Sequence, residues 1–255
     1  MKRISGLWLC LPIILRAASG VALIGQVSPI AITGDIRFPD AAASAIIDNM
    51  HIPATPGAPF SSKSIATLTQ VRREGTKRFG FFSLVARSVS GRLYFENRRP
   101  FPTAERSIPR SYFIIIDPGE HTRTVCYVAT KTCRINAFVH VVDAESDTRE
   151  EVPPASKTTA IDLGASAIES VTVLGTRETT VIAAGAYGNR QQIVTTKEVW
   201  RSPALDISLS TTRTDPRWGA QTREFTEISL REPDAEYFVI PPDYKLLDNR
   251  PPAKQ

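Results

Sequence analysis

The side chains that could carry out chemistry are few. The histidines are His51, His121 and His140. His51 sits in a proline-rich stretch, and His121 follows the turn sequence Asp117-Pro-Gly-Glu120. His140 lies between Val139 and Val141, as at the end of a strand. No HExxH or comparable pair could hold zinc, and nothing orients a histidine against a serine nucleophile. Ser88-Val-Ser-Gly-Arg92 lacks the GxSxG pattern of a nucleophile elbow. Gly185-Ala-Tyr-Gly-Asn189 lacks the Lys-Ser/Thr of a phosphate-binding loop and reads as a turn. Glu145, Asp147, Glu150 and Glu151 could act as acid and base only within a cleft; in the polar run 143–157 they read as an exposed loop. The expectation is a protein with no catalytic residue, no metal and no cofactor, hence not an enzyme.

The two internal cysteines are more informative. Cys126 and Cys133 flank Tyr-Val-Ala-Thr-Lys-Thr, and the segment reads as a tight hairpin. With Ala129 and Thr130 at its tip, residue 126 faces residue 133, and opposed residues lie close enough for a disulfide. The alternative is a pair of buried free thiols. The loop is shorter than the 15 residues for which closure is worth about 3 kcal/mol, so the gain is smaller than that. The spacing is not CxxC, which argues against a redox catalyst and against zinc.

Of the formal charge of +5, three positive charges come from Lys2, Arg3 and Arg16, in a 25-residue opening with no acid; +5 less 3 leaves +2 for the rest. That opening has the tripartite form of a secretory signal peptide: a basic start, the apolar run 6–15, and small residues at Ala17, Ala18, Ser19 and Gly20. Cleavage after Ser19 or Gly25 fits, and an uncleaved anchor is the rival reading. Cys10 lies within the apolar run and lacks the small residues that precede a lipid-modified cysteine. No later stretch approaches the ~18 apolar residues of a membrane-spanning helix. The chain therefore reads as periplasmic or extracellular, and not integral to the membrane once the signal is removed. Export also disfavours nucleic acid as the partner of the basic pairs Arg72-Arg73, Lys77-Arg78 and Arg98-Arg99, which are typical edge-strand and turn charges. Anionic envelope surfaces remain possible partners for them.

The elements that would position any site are mostly strands. Hydrophobic residues make up 42% of the chain and charged residues 22%, which suits a globular fold. Residues 1–25 read as the signal, 26–59 as a Pro/Ala-rich linker, 60–246 as a β-rich domain and 247–255 as a tail. Within the linker, Asp40 followed by 41–49 could cap and form a short helix. Strands are expected over 65–73, 78–88, 91–97, 112–116, 122–128 and 131–139. A further pair, 169–174 and 178–182, is expected around Gly175, followed by strands at 192–200, 205–213 and 222–230. A capped helical turn is expected at 233–238. About ten strands in meander order predict a mainly β fold: an antiparallel open sheet or half-barrel with one or two short helices.

Several phrases resemble a group of secreted bacterial proteins of unassigned function. They are Gly57-Ala-Pro-Phe-Ser-Ser62, Arg87-Ser-Val-Ser-Gly-Arg92, Gly175-Thr-Arg-Glu-Thr-Thr180, Val199-Trp-Arg-Ser-Pro-Ala-Leu205, Thr214-Asp-Pro-Arg-Trp-Gly219 and Glu232-Pro-Asp-Ala-Glu-Tyr-Phe-Val-Ile-Pro-Pro-Asp-Tyr244. The likeness covers about residues 57–246 and departs at Arg92-Leu-Tyr-Phe, where the group has a more polar, arginine-rich run. Strand order and the closing Phe238-x-x-Pro-x-x-Tyr244 are also similar to the outer-membrane lipoprotein carrier (LolA) and sigma-factor regulator (RseB) folds. That resemblance implies a half-barrel whose concave side takes a helix or an acyl chain; it brings no catalytic residues. The aromatic residues Phe79, Phe81, Phe82, Tyr112, Phe113, Trp200 and Trp218 could line such a pocket, or serve as core. Phe79, Phe81, Tyr112, Phe113, Trp200 and Trp218 are accordingly the candidate ligand-binding set. The expected partner is a lipid, an acyl group or another envelope protein, the last in a sigma-factor regulatory pathway.

Overall fold

A computed structural model describes residues 44–47, 50–72, 75–98, 110–137, 155–217 and 219–251. In chain order the strands are β1 (Ser44–Ile47), β2 (Met50–Pro53), β3 (Phe60–Arg72), β4 (Gly75–Arg87), β5 (Leu93–Arg98), β6 (Arg110–Asp117) and β7 (Thr122–Tyr127). They continue with β8 (Thr132–Ala137), β9 (Ser156–Ile168), β10 (Val171–Ile182), β11 (Ile193–Ser202), β12 (Ile207–Asp215), β13 (Gly219–Ser229) and β14 (Lys245–Asp248). Among the described residues one 3-10 turn, Ala235–Phe238, is capped by Asp234, whose carboxylate accepts from the Glu236 N–H. The mainly β, open-sheet architecture is the one expected.

Twelve strands form one sheet in the order β14-β8-β7-β6-β5-β4-β3-β13-β12-β11-β10-β9, with β1 and β2 as a separate hairpin. Every pairing in the large sheet is antiparallel except β14 with β8. Sequential hairpins account for most neighbours. The long-range join is β13 with β3, where Ala220 opposes Thr69 and Thr226 opposes Lys63.

The apolar run of β6 is explained by burial on both faces, the usual reason for a strand without alternation. Ile114 and Ile116 enter one core with Val85, Leu93 and Phe95. Phe113 and Ile115 enter a second core with Ala86, Tyr94, Cys126 and Cys133. The first core also draws Val171 and Val173 from β10 and Ile207 and Leu209 from β12, so one face of the sheet closes upon itself. Ile52 and Ala54, within the stretch read as linker, are buried in this core, and β2 lies against β12. Phe238, Tyr237, Ile240 and Tyr244 cover the second core, so the Phe-x-x-Pro-x-x-Tyr ending is a strap across the sheet. The chain then adds β14 to the sheet edge.

Several expectations need correction. Ser44–Ile47 is a strand paired with Met50–Pro53, not part of a helix. Its Ile46-Ile47 pair suits a strand better than an alanine-biased reading allows. Gly175 does not separate two strands; β10 runs through it, and the turn lies at Glu169 and Ser170, both at positive φ. Strand β9, the partner of β10, was not foreseen. It lacks clean alternation and is largely exposed, so its conformation comes from pairing rather than from propensity. β14 was likewise not foreseen. The signal segment, most of the acidic run 143–157 and His140 lie outside the described residues.

Candidate functional site

Arg87 is the side chain that sequence reasoning missed. It ends β4 with no exposed surface. Its Nε donates to the Ala58 carbonyl at 2.7 Å, Nη1 to Pro53 at 2.9 Å and Nη2 to Leu205 at 2.8 Å. The guanidinium also lies 5.0 Å over the Phe60 ring. Burial lowers its pKa to about 10, against the opposing field of Asp206. The planar fork suits this task because three carbonyls from separate chain segments converge on it. It ties the 53–58 segment and the β11–β12 turn to β4. The only signal in the sequence was its place at the head of Arg87-Ser-Val-Ser-Gly-Arg92.

Below the C-terminal strap lies a second polar cluster. Tyr94 and Glu96 point to the same side of β5, and both are buried. The Tyr94 hydroxyl donates to Glu96 Oε2 at 2.8 Å and accepts from Arg110 Nη1 at 3.2 Å. Arg98 Nη2 lies 2.5 Å from Glu96 Oε1, and Arg110 lies 3.5 Å from Oε2. Burial, then the neighbouring Glu96 carboxylate, push the Tyr94 phenol above its ordinary range. Burial acts to lower Arg110, but Tyr94 and Glu96 outweigh it and hold that guanidinium above its usual value. A depression of about 160 Å³ adjoins the cluster, lined also by Phe113, Glu236 and Tyr237. A carboxylate flanked by two guanidinium groups, beside a phenol that stays protonated, is matched to binding its own neighbours rather than to proton transfer.

The larger depression, about 530 Å³, lies where β9 and β10 lose register at Gly175/Thr176. Ala160, Ile161, Ala165 and Leu174 line it, with Asp162, Gly164 and Thr176. Ile161 is 53% and Leu174 49% exposed. Gly164 opposes Gly175 across the strands, and the Trp200 ring lies against Gly175 from β11. Trp200 Nε1 donates to Glu198 Oε1 at 2.8 Å, and Glu198 is bound by Arg177 at 2.7 Å, which holds that carboxyl below its usual range.

The aromatic set proposed as a lining is not gathered in one place. Tyr112 and Trp200 pack, partly buried, against the first core. Phe113, at 1% exposure, belongs to the second core on the other face of β6. Phe79 and Phe81 oppose Leu68 and Ala66 on β3, and their side chains lie outside the described residues, as does Trp218. Cys126 opposes Cys133 and forms the disulfide, with Cα atoms 4.0 Å apart. His121 is an exposed turn residue at positive φ. Among the described residues, no group of three or more His, Cys, Asp or Glu is placed to hold a metal, and no helix is long and apolar enough to cross a membrane.

Neither a protein-family model nor a curated protein matches the chain. Among solved structures it is similar to MucB in the MucA/MucB complex of Pseudomonas aeruginosa, at 10% identity over 76% of this chain, with a TM-score of 0.38. It is also similar to a LolA superfamily protein from Nitrosomonas europaea, at 10% identity over 72% of this chain and 91% of that one, with a TM-score of 0.28. The lipoprotein LppX of Mycobacterium tuberculosis matches at 10% identity over 69% of this chain and 90% of that one, with a TM-score of 0.28. The chain spans about three fifths of the MucB chain, 59%.

Proposed function

We propose that this chain is an exported, non-catalytic binding module whose open sheet docks an extended segment of a partner protein along β9. The observation that carries this is the state of the sheet's last strand. β9 has thirteen residues, and among the described residues nothing pairs with its outer side. It contains no proline and only two charged residues, Lys157 and Asp162, and its one register break with β10 lies at Leu163, so most of its length is an unblunted edge. Its backbone offers a row of hydrogen-bonding groups, and the depression beside Ile161 and Leu174 offers an apolar foothold, the two requirements for strand addition. The reading as a lipid carrier has less support, because Ile52, Ala54 and Phe60 already occupy the inner core and the aromatic set is divided between faces.

A peptide library displayed against the full chain tests this reading. Selected ligands are expected to be β-rich, to slow hydrogen exchange over 156–168 and to lose affinity in Ile161→Lys. Ligands that protect only other segments count against it. A co-purifying acyl lipid, detected by mass spectrometry and lost on filling the inner face, would favour the carrier instead.

A further inference from the structure

The turns of the large sheet are sorted by charge. The β3–β4, β10–β11 and β12–β13 connections, with the start of β9, lie at one end. The β6–β7, β9–β10 and β11–β12 turns, and the segment after β13, lie at the other. The first end carries exposed Lys77, Arg78, Lys157 and Arg190, none with an ion-pair partner among the described residues. Asp215 is also there, bound by Arg217 at 2.6 Å, and exposed Glu178 lies nearby on β10, opposite Lys197. The second end carries exposed Glu120, Glu169, Glu232 and Asp234 against Arg231; its exposed Arg201 and Arg250 are held by Asp206 and Asp248.

The basic end is broad, and it displays an aromatic ring. One row of opposed residues runs Arg78, Thr69, Ala220, Thr214, Thr196, Thr179, Thr159. It crosses seven strands, so the end is roughly 29 Å wide at the ~4.8 Å spacing of strands. Tyr187, 51% exposed, stands in the β10–β11 loop between Gly185 and Gly188, which take positive φ. Asn189 braces that loop: its side chain donates to the Ala183 and Gln191 carbonyls and accepts from the Tyr187 N–H. The Arg217 guanidinium lies 5.2 Å over the Tyr187 ring. The ring is therefore presented on a fixed loop beside cations.

We infer that this end of the sheet docks on an anionic phospholipid bilayer. Cations without an ion-pair partner among the described residues, spread over a wide front, match a surface of many negative headgroups better than a single small anion. A tyrosine among them suits the headgroup level, where its ring is half-solvated and its hydroxyl stays wet. The acidic end faces away, so repulsion orients the molecule. Only Lys157, at the start of β9, belongs both to this end and to the edge proposed for a partner strand; Lys77, Arg78, Arg190 and Tyr187 lie off that edge.

The test is co-sedimentation of the full chain with phosphatidylcholine vesicles with and without phosphatidylglycerol. The comparison is between the parent and K77E/R78E/R190E, so any affinity of residues 1–25 is common to both. Each surface cation is worth about fivefold, so the triple variant is expected to lose about a hundredfold in affinity for anionic vesicles. Raised salt is expected to weaken the parent more than the variant. Tyr187→Ser is expected to lose several-fold with the salt dependence unchanged, and Glu120→Lys, at the opposite end, to stay within about twofold of the parent. Equal binding by parent and triple variant overturns the inference. So does a parent that ignores vesicles yet binds heparin through the same three cations.

Discussion

At the scale of single residues, the fold depends on a few polar side chains that join distant segments. Arg87 is the strongest of these. Replacing it with methionine leaves the Pro53, Ala58 and Leu205 carbonyls without their donor inside the protein, and each such loss costs about 1–3 kcal/mol. Arg87→Met is therefore expected to lower stability in urea unfolding by about 3 kcal/mol or more, and lysine, with no planar fork, to rescue little of it. Glu169 acts similarly at the surface. Its carboxylate accepts from the backbone N–H groups of Ile228 and Glu227 at 2.6 and 2.9 Å, and these bonds hold its pKa below the usual carboxylate value. A depressed carboxylate pKa contributes stability that is complete above the unfolded-state value and lost as pH falls through the folded one. Thermal unfolding followed from neutral pH down to acid should thus show a smaller acid-side loss in Glu169→Gln than in the parent. The Cys126–Cys133 bridge closes a loop with a sequence separation of only 7. Reduction is expected to destabilise by less than ~3 kcal/mol and to leave a folded, cooperative protein. A chain that unfolds outright on adding reductant would contradict this.

At the scale of elements, β10 and β11 show how a glycine serves a sheet interior. A Cβ on Gly175 would meet the Trp200 ring at 2.5 Å. The absence of a side chain lets the indole lie across the strand, where it packs on the first core and reaches Glu198. Gly175→Ala is expected to displace that ring, seen as a change in tryptophan fluorescence together with a lower melting temperature. The isolated glycine read as a turn in sequence because turns and close backbone approaches use the same residue type. The C-terminal strap shows the reverse case. Its Pro, Asp and aromatic residues announced a capped turn, and the structure places one at Ala235–Phe238. Its role in covering the second core depended on where β4–β8 presented their other face.

For the whole molecule, the two ends of the sheet differ in burial as well as charge. The first core gathers at the end where β3 begins and β4 finishes: Phe60 and Val85 are buried, whereas Gly75 to Arg78 are exposed. In β10, Val171 and Val173 are buried, Thr176 to Glu178 are exposed, and Ile182 is buried again at the strand's end. Hydrogen exchange is therefore expected to be slowest at the core end of β3 and β4 and faster at their basic end, where openings need not disturb the core. Uniform protection along these strands would show that the exposed halves are stabilised by something other than the observed packing.

Much of this fold was legible locally. Most strands, the Asp117-Pro-Gly turn, the capped turn and the facing of Cys126 and Cys133 follow from side-chain alternation and turn chemistry. These act over a few residues and therefore leave a pattern in a short window. The candidate site was less legible: neither the division of Tyr112 and Phe113 between two cores nor the burial of Arg87 could be read from residue type. Those outcomes belong to long-range pairing. Lys63 meets Glu227 at a separation of 164 positions, β14 joins β8 in parallel, and β9 is extended only because β10 lies beside it. Such contacts are set by which faces remain to be covered once the hairpins have formed, and that balance of burial exists only in the assembled sheet.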